Sequence, residues 1–274
     1  MAVVLITGAT GGLGLETARR LGSRQATILV HGRSRSRCGE AIEALASDVP
    51  PERLRPCWAD LATVHAVRDL AAQVRDREPR LDVLINNAGI ADIHAPRRES
   101  PDGVELTFAV NHLAHFVLTL ALLDLLRGSA PARIVNVASI GQAAIDLDDP
   151  MLERSYDGFT AYAQSKLAQI SFTIELAGRL AAAGDEGIAV NAVHPATLMD
   201  TGMARRAFGR ARSSVQEGVE AVERLATAPE LDGVSGRYFE GTAEAHPHGQ
   251  ALDAPARRRL WELSERLAGI ASPI

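Results

Sequence analysis

The clearest fold signal in this 274-residue chain is the stretch Ala2-Val3-Val4-Leu5-Ile6-Thr7-Gly8-Ala9-Thr10-Gly11-Gly12-Leu13-Gly14. The continuous apolar run over residues 2–6 is typical of a parallel strand that is buried on both faces. A glycine-rich turn follows it and leads into a helical stretch over residues 13–21. Glycines allow the backbone to pass close to a pyrophosphate, and a helix N-terminus offers free N–H groups. The stretch therefore predicts a nucleotide site, and the alternative is a tight turn that binds nothing.

The alternation of strand and helix continues along the rest of the chain. It predicts an α/β fold with a single domain over residues 1–274, in which a doubly wound (Rossmann) parallel sheet of about seven strands carries helices on both faces. The arginine-rich, helical residues 198–228 are placed to cover the site as a lid. The predicted strands are residues 2–6, 27–30, 54–58, 81–85, 133–137, 188–193 and 236–239, and the predicted helices include 13–21, 110–126, 160–183 and 254–268.

The composition argues against several classes of protein. A net charge of −5 and a pI near 5.9 give no electrostatic reason to expect a nucleic-acid partner. Cys38 and Cys57 form no metal-ligand spacing or disulfide framework, and His112 and His115 have no third ligand within sequence reach. The most apolar run, residues 116–123, is too short to span a bilayer, and we find no signal-peptide pattern. We therefore expect a soluble cytoplasmic protein without metal, membrane or nucleic-acid partners.

The end of the second predicted strand bears on the choice of cofactor. An NAD site of this architecture places an acid about twenty residues after the glycines, where it holds the ribose 2′-hydroxyl. The sequence there is His31-Gly32-Arg33-Ser34-Arg35-Ser36-Arg37, with no acid. A guanidinium suits a 2′-phosphate, so NADP(H) is favoured over NAD(H). Arg33, nearest the strand end, carries this prediction, whereas Arg35 and Arg37 are interpreted as solvating the next helix.

Two further strand ends carry candidate cofactor contacts. Asp60 and Leu61 follow the strand over residues 54–58, at the carboxyl edge where ligands of open parallel sheets collect. Asp60 is equally a candidate N-cap of a helix that starts at Leu61. The small or amide-bearing residues 86–89 follow the fourth predicted strand. They either lie against an adenosine ribose or stabilise the sheet itself.

Tyr162 and Lys166 form the predicted chemical centre. Residues four apart project from one face of a helix, so this spacing places a phenol beside an ammonium group. Lys166 is the only lysine in the chain, which suggests a task that needs a compact ammonium on a flexible stem. Such a pair also arises by chance, and the alternative for Tyr162 is simple packing. Tyr156 does not form the same pair, because Thr160 stands four residues after it.

Taken in order, these motifs resemble the short-chain dehydrogenase/reductase superfamily across nearly the full chain. The glycine turn has the Thr-Gly-x-x-x-Gly-x-Gly pattern of its non-extended type. Within the superfamily, Val110-Asn111-His112-Leu113-Ala114-His115-Phe116 and Gly233-Val234-Ser235-Gly236-Arg237-Tyr238-Phe239 resemble the branch of the retinol dehydrogenases and WW-domain oxidoreductases.

The resemblance implies a catalytic tetrad of Asn111, Ser139, Tyr162 and Lys166. Tyr162 would be the general acid/base that protonates the developing alkoxide in carbonyl reduction, and Ser139 would hold the substrate oxygen. Lys166 would bind the nicotinamide ribose and lower the pKa of Tyr162. Asn111 would anchor a water that links Lys166 to solvent. The alternatives are a helix cap for Ser139 and a satisfied core amide for Asn111.

The resemblance also implies a set of cofactor contacts. The chain departs from the family pattern at Ala196, where glycine is common, and at Thr201, one residue beyond the commonest spacing. The residues expected to contact NADP(H) are Gly8, Thr10, Gly12, Leu13, Gly14, Arg33, Asp60, Leu61, Asn87, Ala88, Gly89, Tyr162, Lys166, Pro195 and Thr197.

The predicted function is an NADP-dependent oxidoreductase that transfers hydride between nicotinamide C4 and the carbonyl or alcohol carbon of a small, apolar substrate bound at Ser139 and Tyr162. An enoyl reductase spaces its tyrosine and lysine more widely, and an epimerase or dehydratase has a longer C-terminal domain. A sensor that binds NADP without turnover is the alternative from another class. The apolar faces of residues 160–183 suggest a homodimer or homotetramer, and the preference for arginine over lysine suggests a bacterial source.

Overall fold

Eight strands form one sheet in the computed structural model, which describes all of residues 1–274. The strands are β1 (Val3–Ile6), β2 (Thr27–Gly32), β3 (Leu54–Trp58), β4 (Val83–Asn86), β5 (Ala132–Val137), β6 (Ile188–His194), β7 (Tyr238–Glu240) and β8 (Ala243–Ala245). Their order is β3-β2-β1-β4-β5-β6-β7-β8, and only β7 and β8 pair antiparallel. The doubly wound parallel sheet is confirmed. The three-residue strand β8 was not predicted, because it is too short to show an alternating pattern.

Ten α-helices flank the sheet, and none combines the length and apolarity needed to span a bilayer. A π-helical turn, Ala109–Leu113, separates the fourth helix from the fifth. The helices are α1 (Gly12–Ser23), α2 (Arg35–Leu45), α3 (Val64–Arg77), α4 (Leu106–Phe108), α5 (Ala114–Ala121), α6 (Leu123–Gly128), α7 (Gly158–Ala182), α8 (Gly202–Phe208), α9 (Val215–Thr227) and α10 (Ala254–Ala268).

Alternate side chains of the central strands face two different apolar layers, which explains why both faces carry helices. In β1, Val3 and Leu5 face the layer that contains α3, α5 and α7. Val4 and Ile6 face the layer that contains α1, α2 and α9. Each such side chain contributes about 1.5–3 kcal/mol when fully buried. Because the strands are parallel, their carboxyl ends meet at one edge, where the predicted site residues follow them.

The segment predicted as a lid, residues 198–228, divides into two parts. Helix α9 packs against α1, and Val219, Val222 and Leu225 join the apolar layer beneath the sheet. Its one-sided apolar pattern is that of a layer helix rather than a mobile cover. Helix α9 is therefore part of the layer, and a lid over residues 198–214, which include α8, stays a prediction.

The turn after β3 contradicts one of the two interpretations of Asp60, that of a helix N-cap. Helix α3 begins at Val64, and its N-cap is Thr63, whose side chain accepts a hydrogen bond from the Ala66 N–H at 3.3 Å. Asp60 is exposed and accepts from the Ala62 N–H at 3.1 Å within the connecting turn. The interpretation of Asp60 as a helix N-cap is wrong, because three residues of turn separate it from the first helical residue.

The C-terminal helix α10 covers α7. Trp261 is 2% exposed, and its ring lies 5.0 Å from the Phe116 ring and 5.9 Å from the Phe172 ring. The Arg179 guanidinium lies 4.2 Å from the centre of the Trp261 ring. Within one chain, the sheet and α10 thus cover the apolar faces of α7. The apolarity of this helix therefore gives no argument for a second subunit.

Candidate active site

Ser139 and Tyr162 meet at the carboxyl edge of the sheet. Ser139 follows β5, and Tyr162 lies in the first turns of α7, whose N-cap Asp157 accepts from the Thr160 N–H at 2.7 Å. A Cβ added at Gly141 would lie 3.5 Å from Ser139 Oγ and 3.9 Å from Tyr162 Cε1, so the two side chains are neighbours. Ser139 Oγ accepts from the Gly141 N–H at 3.0 Å, which leaves the serine proton free for the phenol oxygen. Ser139 is therefore held by a turn and is not a helix cap.

The main chain of Ser139 is held by two side chains to which the sequence analysis assigned no role. Its carbonyl oxygen accepts from Gln142 Nε2 at 3.1 Å and from the Tyr238 hydroxyl at 3.3 Å. Tyr238 lies on β7 and is 2% exposed. The Gly233–Phe239 motif contains Tyr238 and was an available signal for it. For Gln142 the sequence offered no signal.

Lys166 is buried beside Tyr162, as the four-residue spacing predicts. Its Nζ lies 5.8 Å from the centre of the Tyr162 ring, and the residue is 5% exposed. The ammonium donates to Val137 O at 2.9 Å and to Gln169 Oε1 at 2.7 Å, which leaves one N–H for a further acceptor. Burial disfavours the charged form and lowers the pKa of Lys166 to about 7.

The pKa of Tyr162 lies above its ordinary value in the cofactor-free chain. Burial disfavours the phenolate and raises the pKa, and this outweighs the hydrogen bond from Ser139, which lowers it. Two of the Lys166 N–H groups bond Val137 O and Gln169 Oε1, and the ammonium forms no hydrogen bond to the phenol oxygen. A lowered pKa with an oxidised nicotinamide bound beside the phenol stays a prediction. At neutral pH Tyr162 is a protonated phenol, the state that a proton donor needs.

Asn111 lies in the π-helical turn and is fully buried. Its Oδ1 accepts from the Ile90 N–H at 2.8 Å, and its Nδ2 donates to Ile90 O at 3.0 Å and to Ser165 Oγ at 2.9 Å. The side chain therefore ties this turn to α7 and to the loop after β4, as the core-amide alternative proposes. Its role as the anchor of a water next to Lys166 stays a prediction.

The glycines of the first turn are required by close packing against the turn after β4. A Cβ added at Gly14 would lie 2.5 Å from Asn87 Nδ2, and one at Gly8 would lie 3.0 Å from the Cα of Ala88. Gly8 and Gly12 also have φ angles of 67° and 54°, in the left-handed region that favours glycine. The glycine turn and the turn after β4, which were predicted as separate cofactor contacts, thus pack against each other.

The N-terminus of α1 fits an anion such as a pyrophosphate. Gly11 occupies the N-cap position, and no side chain caps the first N–H groups of the helix. Gly11 and Gly12 are exposed, whereas Leu13 packs in the apolar layer. A Cβ at Gly32 would lie 2.5 Å from Thr10 Cγ2, so Thr10 closes the turn against β2. Free N–H groups and the positive end of the helix dipole suit a dinucleotide phosphate.

The residues predicted at the adenosine end lie after β2 and β3. Arg33 is exposed and joins none of the ion pairs of the chain. Arg35 instead stacks over Trp58, with 5.7 Å between its guanidinium carbon and the ring centre. Asp60 is exposed nearby, and Leu61 is 4% exposed in the apolar layer. Arg33 is thus an exposed cation at the end of β2, and its contact with a 2′-phosphate stays a prediction.

His31, near the end of β2, connects two turns of the site and was not predicted to do so. It is 2% exposed, its Nδ1 accepts from the Gly8 N–H at 3.1 Å, and its Nε2 bonds Ala59 O at 3.2 Å. Burial lowers its pKa to about 4, against smaller opposite effects from the bond to Ala59 and the charge of Asp60. The neutral ring therefore ties the glycine turn to the end of β3. A polar residue at the end of an apolar strand was the available signal.

The chain after β6 lies along the same edge. His194 Nε2 and Thr197 Oγ1 are 3.1 Å apart. Burial and, secondarily, the charge of Lys166 lower the pKa of His194 to about 4, which places the end of β6 near the lysine. A Cβ at Gly12 would lie 3.2 Å from Thr201 Cγ2, so the segment after β6 contacts the glycine turn. The predicted cofactor residues follow β1, β2, β3, β4 and β6 around one edge, namely Gly8, Thr10, Gly12, Leu13, Gly14, Arg33, Asp60, Leu61, Asn87, Ala88, Gly89, Pro195 and Thr197.

Two exposed apolar residues adjoin Ser139 and Tyr162 in the chain, and the neighbouring loops are joined by hydrogen bonds. Ile140 follows Ser139 and is 52% exposed, and Phe159 lies one helical turn before Tyr162 and is 47% exposed. Two hydrogen bonds join the loops around them. Arg97 Nε donates to Met151 O at 3.0 Å, and the Tyr156 hydroxyl donates to Glu105 Oε1 at 3.4 Å.

The match to known proteins defines the class. Residues 2–211 match the short chain dehydrogenase family. The chain therefore belongs to the short-chain dehydrogenase family, and it is an NAD(P)-dependent oxidoreductase that acts on CH–OH or C=O groups.

Curated relatives place the chain more narrowly within that family. It is 37% identical to human (Homo sapiens) retinol dehydrogenase 13, with 98% of this chain and 85% of the human protein covered. Polyprenol dehydrogenase of Mus musculus is 36% identical, with 97% and 84% covered. WW domain-containing oxidoreductase of Danio rerio is 35% identical, with 97% and 68% covered. These similarities confirm the branch that the motifs predicted.

Solved structures show the same fold. An uncharacterised protein from Mycobacterium paratuberculosis has a TM-score of 0.80 and 31% identity, with 100% of this chain and 96% of that chain covered. Salutaridine reductase from Papaver somniferum has a TM-score of 0.70 and 23% identity, with 88% and 99% covered, which supports the fold alone. The curated relatives named above are vertebrate proteins and give no support to a bacterial source, which stays a prediction.

Proposed function

We propose that the chain transfers hydride between NADP(H) and the carbonyl or alcohol carbon of a small, apolar substrate, with Tyr162 as general acid/base. The observation that carries the proposal is the juxtaposition of three side chains. The Ser139 and Tyr162 side chains are neighbours, Ser139 lowers the pKa of the phenol, and the Lys166 ammonium lies 5.8 Å from the Tyr162 ring with one donor unused. These are a substrate-orienting hydroxyl, a proton donor and a cation.

The proposed chemistry divides the work among these groups. A bound nicotinamide supplies or accepts hydride at its C4. In carbonyl reduction, Ser139 donates a hydrogen bond to the substrate oxygen and orients it. Tyr162 gives its proton to that oxygen as negative charge develops there, and the Lys166 charge stabilises the phenolate that remains. Alcohol oxidation follows the same steps in reverse, with Tyr162 accepting the proton.

The preference for NADP(H) over NAD(H) rests on Arg33. The residue lies exposed at the end of β2, where an acid would hold a ribose 2′-hydroxyl. A guanidinium there offers charge-assisted hydrogen bonds to a 2′-phosphate and repels no phosphate charge. Arg35, which stacks over Trp58, is the less available cation.

The apolar character of the substrate is supported by the two exposed apolar residues that adjoin Ser139 and Tyr162 in the chain. Ile140 and Phe159, both close to the Ser139–Tyr162 pair, are two of the four large apolar residues that the chain exposes. Burying such side chains against a ligand is favourable by about 25 cal/mol per Å² of apolar surface. Two relatives carry the names of retinol and polyprenol, which are apolar alcohols. The cytoplasmic location and the homodimer or homotetramer stay predictions.

The decisive experiment follows NADPH and NADH oxidation with a panel of apolar aldehydes and ketones. We expect turnover with NADPH and much slower turnover with NADH. Tyr162→Phe should abolish turnover and leave the NADPH dissociation constant nearly unchanged, because the ring is kept and only the proton donor is lost. Tyr156→Phe is the matched control and should stay active. Tight NADPH binding without turnover on any substrate would favour the sensor, and an active Tyr162→Phe would move the acid/base role elsewhere.

A further inference from the structure

A buried chain of hydrogen bonds leads from Lys166 away from Tyr162. Gln169 Oε1 accepts from the ammonium at 2.7 Å, and Gln169 Nε2 lies 3.1 Å from His115 Nδ1. His115 Nε2 lies 3.2 Å from Thr7 Oγ1. None of these four residues is more than 5% exposed. The proposed chemistry uses only Lys166, so the other three polar groups need an explanation.

The ammonium sets the direction of every bond in this chain. Lys166 only donates, so Gln169 must turn its oxygen towards Lys166 and its N–H groups towards His115. His115 Nδ1 then accepts, and the ring proton is on Nε2, which lies 3.2 Å from Thr7 Oγ1. The opposite tautomer is favoured by Asn111 O, 2.9 Å from the same Nδ1, and by Thr7 Oγ1, which already accepts from two backbone N–H groups. The charge on Lys166 therefore decides between the two tautomers of His115.

The far end of this chain reaches the cofactor side of the site. Thr7 Oγ1 accepts from the N–H groups of Asn87 and Ala88, each at 2.9 Å. Asn87 packs against the glycine turn after β1. A continuous set of buried polar contacts thus connects the lysine to the turn predicted to lie along the cofactor ribose.

We propose that Gln169 is a positioning residue for Lys166 and that His115 holds the Gln169 amide in the orientation this requires. Gln169 Oε1 and Val137 O engage two of the three ammonium N–H groups and so direct the third towards the cofactor cleft. The inference rests on the proposed function, in which that third N–H binds the nicotinamide ribose.

The titration of Lys166 makes the proposed role of Gln169 testable. Tyr162 faces the ammonium from its own helix, His115 from α5 and His194 from the end of β6. Burial lowers the pKa of His115 to about 3 and of His194 to about 4, and it raises the pKa of Tyr162. No carboxylate contributes to the pKa of Lys166, which is about 7. Lys166 is therefore the group of this cluster that titrates between about pH 5 and about pH 9.

The first experiment measures NADPH affinity by cofactor fluorescence as a function of pH. Wild-type affinity should fall as pH rises through the pKa of Lys166, since the ammonium loses its charge. Gln169→Leu removes an acceptor of the charged form and should shift this midpoint down by about one pH unit. Gln169→Glu places a carboxylate there and should shift the midpoint up.

The matched control is Gln164→Leu, which removes a second buried amide from α7. Gln164 Nε2 donates to Ala144 O at 3.0 Å and does not bond Lys166, so the midpoint should stay in place even if the melting temperature falls. Unshifted midpoints in both Gln169 variants would overturn the proposal. If Gln169→Leu does not fold, the nearly isosteric Gln169→Glu alone carries the test.

The second experiment reads the tautomer of His115 by ¹⁵N NMR on the cofactor-free protein, with His115→Gln to assign its signals. We expect the Nε2–H tautomer in the wild type and a change to Nδ1–H in Gln169→Leu, where Asn111 O remains as the partner of Nδ1. A wild-type Nδ1–H tautomer would contradict the proposal. Neither measurement uses turnover, so an active Tyr162→Phe would defeat the proposed function while these results still decide the role of Gln169.

Discussion

Lys166 shows how much of one residue's environment comes from other parts of the chain. Its neighbour Tyr162 follows from helical spacing, but its two acceptors, Val137 O and Gln169 Oε1, come from β5 and from the next turn of α7. Burial to 5% exposure lowers its pKa to about 7. A compact ammonium fits this pocket, which accounts for a lysine in a chain that otherwise uses arginine.

Lys166→Arg should reduce kcat/KM by about 100-fold or more, because a planar fork with longer reach displaces the charge and the groups around it by about an ångström. Steady-state kinetics with NADPH measure the effect. The control is the reverse substitution, Arg258→Lys, at an exposed position of α10. It should leave the rates unchanged. Wild-type rates in Lys166→Arg would show that the single lysine has no special task.

Arg33→Ala should weaken NADPH binding by roughly 10-fold to 100-fold, the range expected for a charge-assisted hydrogen bond, and leave NADH binding unchanged. Dissociation constants for both cofactors give the comparison. Arg35→Ala serves as the control, since that guanidinium stacks over Trp58. An equal loss in both variants would mean that the whole arginine cluster, rather than Arg33, selects the cofactor.

At the scale of elements, the glycine turn illustrates what a sequence motif leaves unsaid. The pattern predicted an open turn for a phosphate, and the structure adds that it packs against the turn after β4. Gly14→Ala should therefore abolish cofactor binding, because the new methyl group would lie 2.5 Å from Asn87 Nδ2 and force the two turns apart. Isothermal titration with NADPH is the measurement.

The control for that substitution is Gly39→Ala in the exposed part of α2, where no atom lies within 4 Å of the added Cβ. It should bind NADPH normally and gain about 0.5–1 kcal/mol in the free energy of unfolding, since alanine favours the helix. Normal NADPH binding by Gly14→Ala would show that the two turns move apart without consequence.

The elements themselves were predictable where a local pattern was strong. β3 and α10 have the predicted bounds, residues 54–58 and 254–268, because apolar spacing and flanking prolines mark them clearly. The N-cap of α3 was not predictable, because Thr63 and Asp60 are both good capping residues. The role of α9 was not predictable either, because only its contact with α1 distinguishes it from a lid.

At the scale of the whole molecule, buried histidines govern the response to acid. Each is neutral in the fold and its folded pKa lies below the unfolded value near 6.5, so the unfolded chain takes up the extra protons as pH falls. Stability is full above about pH 6.5 and is lost as pH falls towards the folded values, by about 1.4 kcal/mol per pH unit for each group. The four are His31 and His194, with pKa lowered to about 4, and His112 and His115, with pKa lowered to about 3, in every case mainly by burial.

His112→Phe tests this dependence. His112 bonds Ser264 Oγ at 2.8 Å through Nε2, and its ring lies 4.9 Å from Phe108, so another aromatic ring fits the position. We expect the slope of the unfolding free energy between about pH 6 and about pH 4.5 to decrease by about 1.4 kcal/mol per pH unit. Urea titrations at several pH values measure it. His65→Phe, at an exposed position on α3, should keep the wild-type slope.

The sequence by itself determined the fold class, the family and the residues that meet at the sheet edge, because periodicity, glycine spacing and the Tyr162–Lys166 interval are local properties of the chain. Tertiary structure alone decided how those residues are held and charged. Burial raises the pKa of Tyr162 in the cofactor-free chain, and contacts between distant segments bring His115 to Gln169 and His31 to Gly8. Desolvation and long-range hydrogen bonds depend on which elements pack together, and no short stretch of sequence carries that information.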